Sequence, residues 1–91
     1  MFIGSKKEKL DLMKQVLPLY LDDETWLERV KPQYDEREYN NIREVIVEAI
    51  DKKYIMNLVA IRTIKDGIYL HRNQDKKPML TVKGEKFLKR T

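Results

Sequence analysis

The clearest constraint on the fold is a pattern in the middle of the chain that predicts an amphipathic helix. Six apolar side chains recur at spacings of three and four, which places them on one side of a helix at about 100° per residue. They are Tyr39, Ile42, Val45, Ile46, Ala49 and Ile50. Asp35 and the acidic residues after it supply a cap and negative charge at the helix start. The side expected to face water holds Arg37, Asn40, Glu44, Glu48 and Asp51, with Val47 as an apolar exception.

A first helix is predicted near the beginning of the chain. Ser5 and Glu8 have the spacing of a capping box, in which each side chain satisfies a free amide at a helix start. The helix should therefore begin at Lys6. Its apolar stripe consists of Leu10, Met13, Val16 and Leu17. Pro18 is expected to discourage continuation of the helix.

A second, shorter helix is predicted after the acidic residues 22–24, which suit a helix N-terminus. Its buried side should consist of Trp26, Leu27 and Val30. Pro32 is expected to set its end. This helix spans barely two turns.

The pattern changes after residue 54. Residues 55–64 favour a strand and lack helical spacing, and Asp66-Gly67 supplies the positive backbone angles of a tight hairpin turn. Residues 68–72 form the returning strand, and the polar residues 73–78 are predicted as a loop. A final helix capped by Thr81 should run through Lys89, with Val82, Phe87 and Leu88 as its apolar contacts. The order helix, helix, helix, hairpin, helix predicts a single α+β domain over residues 1–91.

Composition limits the class of protein. About 42% of the 91 residues are hydrophobic and 37% are charged, as in soluble globular domains. Cysteine is absent, so the sequence offers neither a disulfide nor a thiolate metal site, which suits a cytoplasmic protein. No apolar stretch approaches the roughly 20 residues of a membrane span. The first four residues are too short for the apolar region of a signal peptide.

Charge is unevenly distributed along the chain. Residues 1–51 contain 8 lysine and arginine residues against 12 acidic residues, whereas residues 52–91 contain 11 against 3. A basic half of this kind predicts an electrostatic surface for a polyanion. A lysine-rich surface that serves only solubility explains the same charge.

Residues suited to catalysis or cofactor binding are scarce. Ser5 is the only serine and His71 the only histidine, and the three glycines form neither a phosphate loop nor a dinucleotide motif. Helix capping explains the acidic clusters at residues 22–24 and 35–38 more simply than metal binding does. We therefore expect no enzymatic activity, cofactor or metal, and the sequence identifies no small-molecule ligand.

Two local patterns resemble the winged helix-turn-helix superfamily. Residues 49–55, Ala-Ile-Asp-Lys-Lys-Tyr-Ile, are similar to the end of a recognition helix that enters the wing, with Lys53 where many members have glycine. Residues 80–88, Leu-Thr-Val-Lys-Gly-Glu-Lys-Phe-Leu, resemble the segment that opens the post-wing helix in MarR-like, PadR-like and YjcQ-like proteins. The nearest resemblance is to the small bacterial and prophage-associated YjcQ-like proteins. It implies that Thr81 caps the last helix and that Gly84 allows a close approach between backbones.

The resemblance also implies a function. It suggests a DNA-binding transcriptional regulator of bacterial or phage origin that acts as a homodimer, with residues 35–53 as the recognition helix in the major groove. The contacts of that helix with bases or phosphates would be Arg37, Asn40, Asn41 and Arg43. The contacts of the wing would be Arg62, Lys65, His71, Arg72, Lys76 and Lys77.

Three questions stay open on the sequence alone. Four glutamates share the recognition helix and would repel phosphates, so a plain solvated face also explains its polar side. These are Glu36, Glu38, Glu44 and Glu48. A winged-helix module for protein interaction or dimerisation, without DNA binding, would explain why residues 55–61 are apolar on both faces of the strand. The tip of the wing is either Asp66-Gly67 or the loop of residues 73–78.

Overall fold

The computed structural model describes residues 2–64 and 67–89 and confirms an α+β protein with the predicted order of elements. The helices of the first part are α1 (Lys6–Asp22), α2 (Trp26–Val30) with a 3-10 turn at Lys31–Gln33, and α3 (Glu36–Asp51). The strands that follow are β1 (Ile55–Met56), β2 (Leu58–Thr63), β3 (Gly67–Arg72) and β4 (Met79–Leu80). Helix α4 (Val82–Lys89) comes last.

The chain divides into two compact units, Met1–Glu48 and Ala49–Thr91. The first unit buries side chains from each of its three helices. They include Met13, Val16, Leu17 and Tyr20 of α1, Leu27 and Val30 of α2, and Tyr39, Ile42, Val45 and Ile46 of α3. The second unit has a smaller core that includes Ala49, Ile55, Leu58, Ile68 and Phe87.

Helix α1 begins as predicted but continues past its proline. The Ser5 hydroxyl accepts a hydrogen bond from the Glu8 amide at 3.1 Å, and the Ser5 amide donates to Glu8 Oε1 at 3.1 Å. The prediction that Pro18 would discourage continuation is wrong, because the helix runs to Asp22. A proline inside a helix costs about 3 kcal/mol. Leu17 and Tyr20, on either side of the proline, are buried. Burial stabilises the helix by about 1.5–3 kcal/mol for each side chain, which offsets the cost of the proline.

Helix α3 is buried on more than its predicted stripe. The stripe itself is confirmed from Tyr39 to Ala49, whereas Ile50 is half-buried. Two residues assigned to the water-facing side are buried instead: Glu44 is 7% exposed and Val47 is 5% exposed. That part of the prediction is wrong, because periodicity identifies the most apolar side but cannot reveal a second covered side. The water-facing surface of α3 is therefore concentrated in its N-terminal turns.

The strands form an antiparallel ribbon with an interruption. Strand β1 pairs with β4, and β2 pairs with β3. The prediction of one continuous strand over residues 55–64 is wrong at Asn57, which has a φ of 66°, a conformation that asparagine tolerates better than most residues. The Asn57 carbonyl accepts from the Asn73 amide at 3.0 Å, and its side-chain amide donates to the Lys77 carbonyl at 3.2 Å. Asn57 thus holds the 73–78 loop at the base of the hairpin.

The turn that follows α3 holds the start of α4. Lys53 has a φ of 64°, which confirms that it occupies a position suited to glycine. Its carbonyl accepts a hydrogen bond from the Thr81 hydroxyl at 2.6 Å, and the same hydroxyl accepts from the Gly84 amide at 3.0 Å. Thr81 is therefore the predicted cap of α4, and it also connects that helix to the turn.

The packing of α4 confirms two sequence-based expectations and corrects a third. A Cβ added to Gly84 would lie 2.1 Å from the Tyr54 carbonyl oxygen, so the backbones approach as closely as expected. Phe87 is buried and stacks on the Tyr54 ring with a centroid separation of 4.5 Å. The prediction that Val82 makes an apolar contact is wrong, because this side chain is 70% exposed. Val82 is the first residue of the helix, and the buried positions of α4 are Gly84 and Phe87.

Candidate nucleic-acid interface

Three of the four candidate contacts on α3 lie around one opening. Arg37, Asn40 and Arg43 line the same shallow depression on the N-terminal half of the helix. Their spacing of three residues places them on neighbouring turns of one side. Arg37 is exposed, and the other two are half-buried. Guanidinium and amide groups on one side of a helix are suited to recognise base edges or phosphates.

The fourth candidate, Asn41, has a structural role in the first unit. Its side-chain carbonyl accepts a hydrogen bond from the Ile3 amide at 2.9 Å, and its side-chain amide donates to the Ile3 carbonyl at 2.9 Å. Two hydrogen bonds between a side chain and one backbone residue fix the N-terminal segment on α3. Asn41 is therefore engaged within the protein and does not line the depression with the other three. No sequence pattern indicates this contact, because the two residues are 38 positions apart.

Arg43 is held against an aromatic ring. Its guanidinium carbon lies 5.2 Å from the centroid of the Tyr39 ring, and Lys31 Nζ lies 5.7 Å from the same centroid. Both distances fall within the range of cation–π attraction. Burial raises the pKa of the Tyr39 phenol, the Glu28 carboxylate raises it further, and Arg43 opposes the change. The attraction holds the Arg43 guanidinium beside the Tyr39 ring.

The glutamates of α3 differ in how strongly they can repel a polyanion. Glu44 is buried, and Glu48 accepts a hydrogen bond from Lys9 Nζ at 2.9 Å, which forms an ion pair. The two remaining carboxylates, Glu36 and Glu38, are exposed in the first turn. Repulsion by the glutamates is therefore concentrated in that first turn, and Asp51 adds an exposed carboxylate in the last turn of α3.

Arg37 also lies close to an acidic side chain. Hydrogen bonds with Ser5 lower the pKa of the Glu8 carboxyl, and the positive charge of Arg37 acts in the same direction. An exposed charge pair of this kind contributes little stability and is screened by salt. The arginine is therefore able to exchange this partner for a phosphate without a large cost.

The pairing of β2 with β3 determines where the predicted wing residues lie. Thr63 pairs with Gly67, so the hairpin tip is at the Asp66-Gly67 end rather than at the 73–78 loop. Lys65 and Asp66 lie outside the described residues. Lys76 and Lys77 are exposed in the loop after β3, at the opposite end of the hairpin from its tip.

The strand register places the two described arginines of the hairpin on one face and His71 on the other. Residues directly opposite each other in an antiparallel pair lie on the same face of the sheet. Arg62 pairs with the buried Ile68, and Arg72 pairs with the buried Leu58. On the other face, Nδ1 of His71 is 3.3 Å from the Arg72 carbonyl oxygen. Arg62 and Arg72 therefore share the face that also contains the buried Ile68 and Leu58.

The face of the hairpin that holds His71 is mainly apolar. Ile61 and Tyr69 pair directly across the strands and are 46% and 50% exposed. Ile64, in the turn after β2, is fully exposed as well, but the register does not place it on this face. We call Ile61 and Tyr69 the apolar hairpin face. Exposed apolar side chains in a group are typical of interaction surfaces.

The described residues also bear on metal binding and on membrane insertion. Among residues 2–64 and 67–89, no group of three or more histidine or acidic side chains is placed to hold a metal ion. None of the helices described combines the length and apolar character that a membrane crossing requires. Comparison with family models, with curated proteins and with solved structures gave no match for this chain.

Proposed function

We propose that this chain is a winged helix-turn-helix protein that binds duplex DNA. In this proposal α2 and α3 are the helix-turn-helix pair, α3 is the recognition helix and the β2–β3 hairpin is the wing. The order of elements supports the proposal, as does the helix-capping role of Thr81 at the start of α4. A homodimer would match the two-fold symmetry of many DNA sites.

The observation that supports DNA most directly is the grouping of Arg37, Asn40 and Arg43 on the exposed half of α3. Arginine can donate two hydrogen bonds to guanine, and asparagine can exchange two with adenine. Of the four glutamates that argue against a polyanion, Glu44 is buried and Glu48 forms an ion pair with Lys9, while Glu36 is exposed at the same depression. Phosphate attraction would come mainly from residues 49–91, which contain 11 lysine and arginine residues against 4 acidic ones.

The experiment that tests the proposal is a titration of a labelled random duplex followed by fluorescence anisotropy at several salt concentrations. We expect binding at low salt that weakens steeply as salt rises, because phosphate contacts release counterions. Arg37→Ala should weaken binding by about fivefold or more. Lys7→Ala removes the same charge from an exposed position on α1 and should change binding by less than about twofold. Equal effects of the two substitutions would show that α3 does not contact the DNA.

A second candidate function is protein docking or dimerisation through the apolar hairpin face. The exposure of Ile61 and Tyr69 favours this function, since such surfaces are often covered by a partner. Analytical ultracentrifugation tests it. Self-association through this face should be abolished by Tyr69→Ser but retained in Met79→Ser, which changes a similarly exposed apolar residue on β4. A monomer at all concentrations would leave dimerisation by this face unsupported.

A further inference from the structure

A groove in the first unit lies among α1, α2 and α3. Its walls include Leu12 and Leu19 of α1, Trp26 of α2, Tyr34 of the following turn, and Glu38 and Ile42 of α3. The volume is about 280 Å³, close to the lower end of the range for small-molecule sites. We call this feature the three-helix groove. Its size suits a molecule of fragment size rather than a folded partner.

The three-helix groove leaves apolar and aromatic surface open to solvent. Leu19 is 48% exposed and Tyr34 is 37% exposed, while Trp26 is half-buried. An apolar or aromatic group would therefore gain contact with both rings and remove their surface from water.

The charge of the groove comes from one carboxylate among the residues that line it. Among the described residues that line it, Glu38 is the one with a charged side chain, and no lysine or arginine lies there. Glu38 Oε1 accepts the Asp35 amide at 3.3 Å, and Asp35 Oδ1 accepts the Glu38 amide at 2.7 Å. These two bonds form a capping box and hold the carboxylate at the edge of the groove. Its second oxygen can accept a hydrogen bond from a ligand.

We propose that the three-helix groove binds a small organic cation in which a primary ammonium group is joined to an apolar or aromatic body. The ammonium group meets Glu38 at the rim, and the body lies against Trp26, Tyr34 and Leu19. The carboxylate attracts the positive charge, and the aromatic rings contact the apolar body. A carboxylate ligand is repelled by Glu38, and a neutral ligand lacks the charge interaction. This proposal does not depend on DNA binding.

The test compares three probes of similar size in the intact protein at constant ionic strength. They are 2-phenylethylammonium, 3-phenylpropan-1-ol and 3-phenylpropanoate. Trp26 is the only tryptophan in the chain, so its fluorescence reports occupancy of the groove directly. Dissociation constants on the order of millimolar are expected for molecules this small. The ammonium probe should bind about fivefold more tightly than the alcohol, and the carboxylate more weakly than either.

Two substitutions separate the charge of Glu38 from general electrostatics. Glu38→Gln keeps an oxygen that can accept the Asp35 amide, so the helix cap is retained, and it should bring the ammonium probe to the affinity of the alcohol. Glu36→Gln removes the same charge from the same turn of α3 but does not line the groove. It should leave the ammonium preference unchanged.

Amide chemical shifts locate the probe without any substitution. The largest changes should occur at the Trp26 indole and around Leu19. Equal affinity for the three probes, or no saturable binding of the ammonium probe, overturns the proposal. So do an ammonium preference that survives Glu38→Gln and shift changes that cluster outside the groove.

Discussion

Replacement of Gly84 by alanine tests how α4 is seated on the turn that follows α3. The added Cβ would lie 2.1 Å from the Tyr54 carbonyl oxygen and 3.0 Å from Cδ2 of Leu80. Nonbonded carbon atoms pack at separations of about 3.5–4.0 Å. The nearest obstacle, the Tyr54 carbonyl, belongs to the backbone and not to a mobile side chain. The helix or the turn must therefore move by about 1 Å or more.

A movement of that size disrupts the hydrogen bonds of Thr81 with the turn. These join the Thr81 hydroxyl to the Lys53 carbonyl at 2.6 Å and the Thr81 amide to the Tyr54 carbonyl at 3.0 Å. Each lost bond costs about 1 kcal/mol, and crowding costs about 1–3 kcal/mol more. Alanine recovers about 1 kcal/mol through its higher helix propensity. The expected net loss is about 2–4 kcal/mol, which lowers the melting temperature by roughly 10–25 °C in a domain of this size.

Urea and thermal unfolding followed by circular dichroism measure this loss. Lys86→Ala is the matched control, because Lys86 is exposed on the same helix and its replacement should change the free energy of unfolding by less than about 0.5 kcal/mol. A Gly84→Ala protein as stable as the wild type, or more stable, would refute the close approach of α4 to Tyr54. The helix propensity of alanine would then be the only effect observed.

Substitutions at three further positions test other parts of the structure. Asn57→Gly keeps a residue that accepts positive φ but removes the hydrogen bond to Lys77, so it should cost about 1 kcal/mol in urea unfolding, whereas Asn57→Val should cost more because it also strains the backbone. The raised pKa of Tyr39 means that folding favours the neutral phenol, so its contribution is complete below pH 10 and is lost as the pH rises through the folded pKa. Tyr39→Phe should therefore reduce the loss of stability measured as the pH rises above about 10. Asn41→Ala should release the N-terminal segment, seen as faster amide hydrogen exchange at Ile3, and unchanged exchange there would contradict the two-bond clamp.

Features that depend on a few neighbouring residues were predictable from the sequence. The capping box of Ser5 and Glu8 and the role of Thr81 are examples, because the bonded groups lie within three positions of each other. Hairpin pairing followed from the change of residue type after α3 and from the turn signal at Asp66-Gly67. In each case the local chemistry permits few alternatives.

Features that depend on packing could not be predicted from the sequence. The continuation of α1 through Pro18 reflects the burial of side chains on both sides of it, which outweighs local helix propensity. Burial of Glu44 reflects a second covered side of α3 that periodicity does not encode. The kink at Asn57 depends on hydrogen bonds to residues 16 and 20 positions away.

The candidate site was predictable only in part for the same reason. Helical spacing was enough to bring Arg37, Asn40 and Arg43 together on one side of α3. The engagement of Asn41 by Ile3 and the three-helix groove both require tertiary contacts between segments distant in sequence. Strand register likewise places Arg62 and Arg72 on one face of the hairpin and His71 on the other, which composition could not show.

The most direct test of DNA recognition by α3 is a titration of the ¹⁵N-labelled protein with duplex DNA, followed residue by residue through its amide signals. We expect the largest changes in amide chemical shift at residues 36–43, with smaller changes at Lys76 and Lys77. Changes confined to the apolar hairpin face, or no saturable change at low salt, would contradict it.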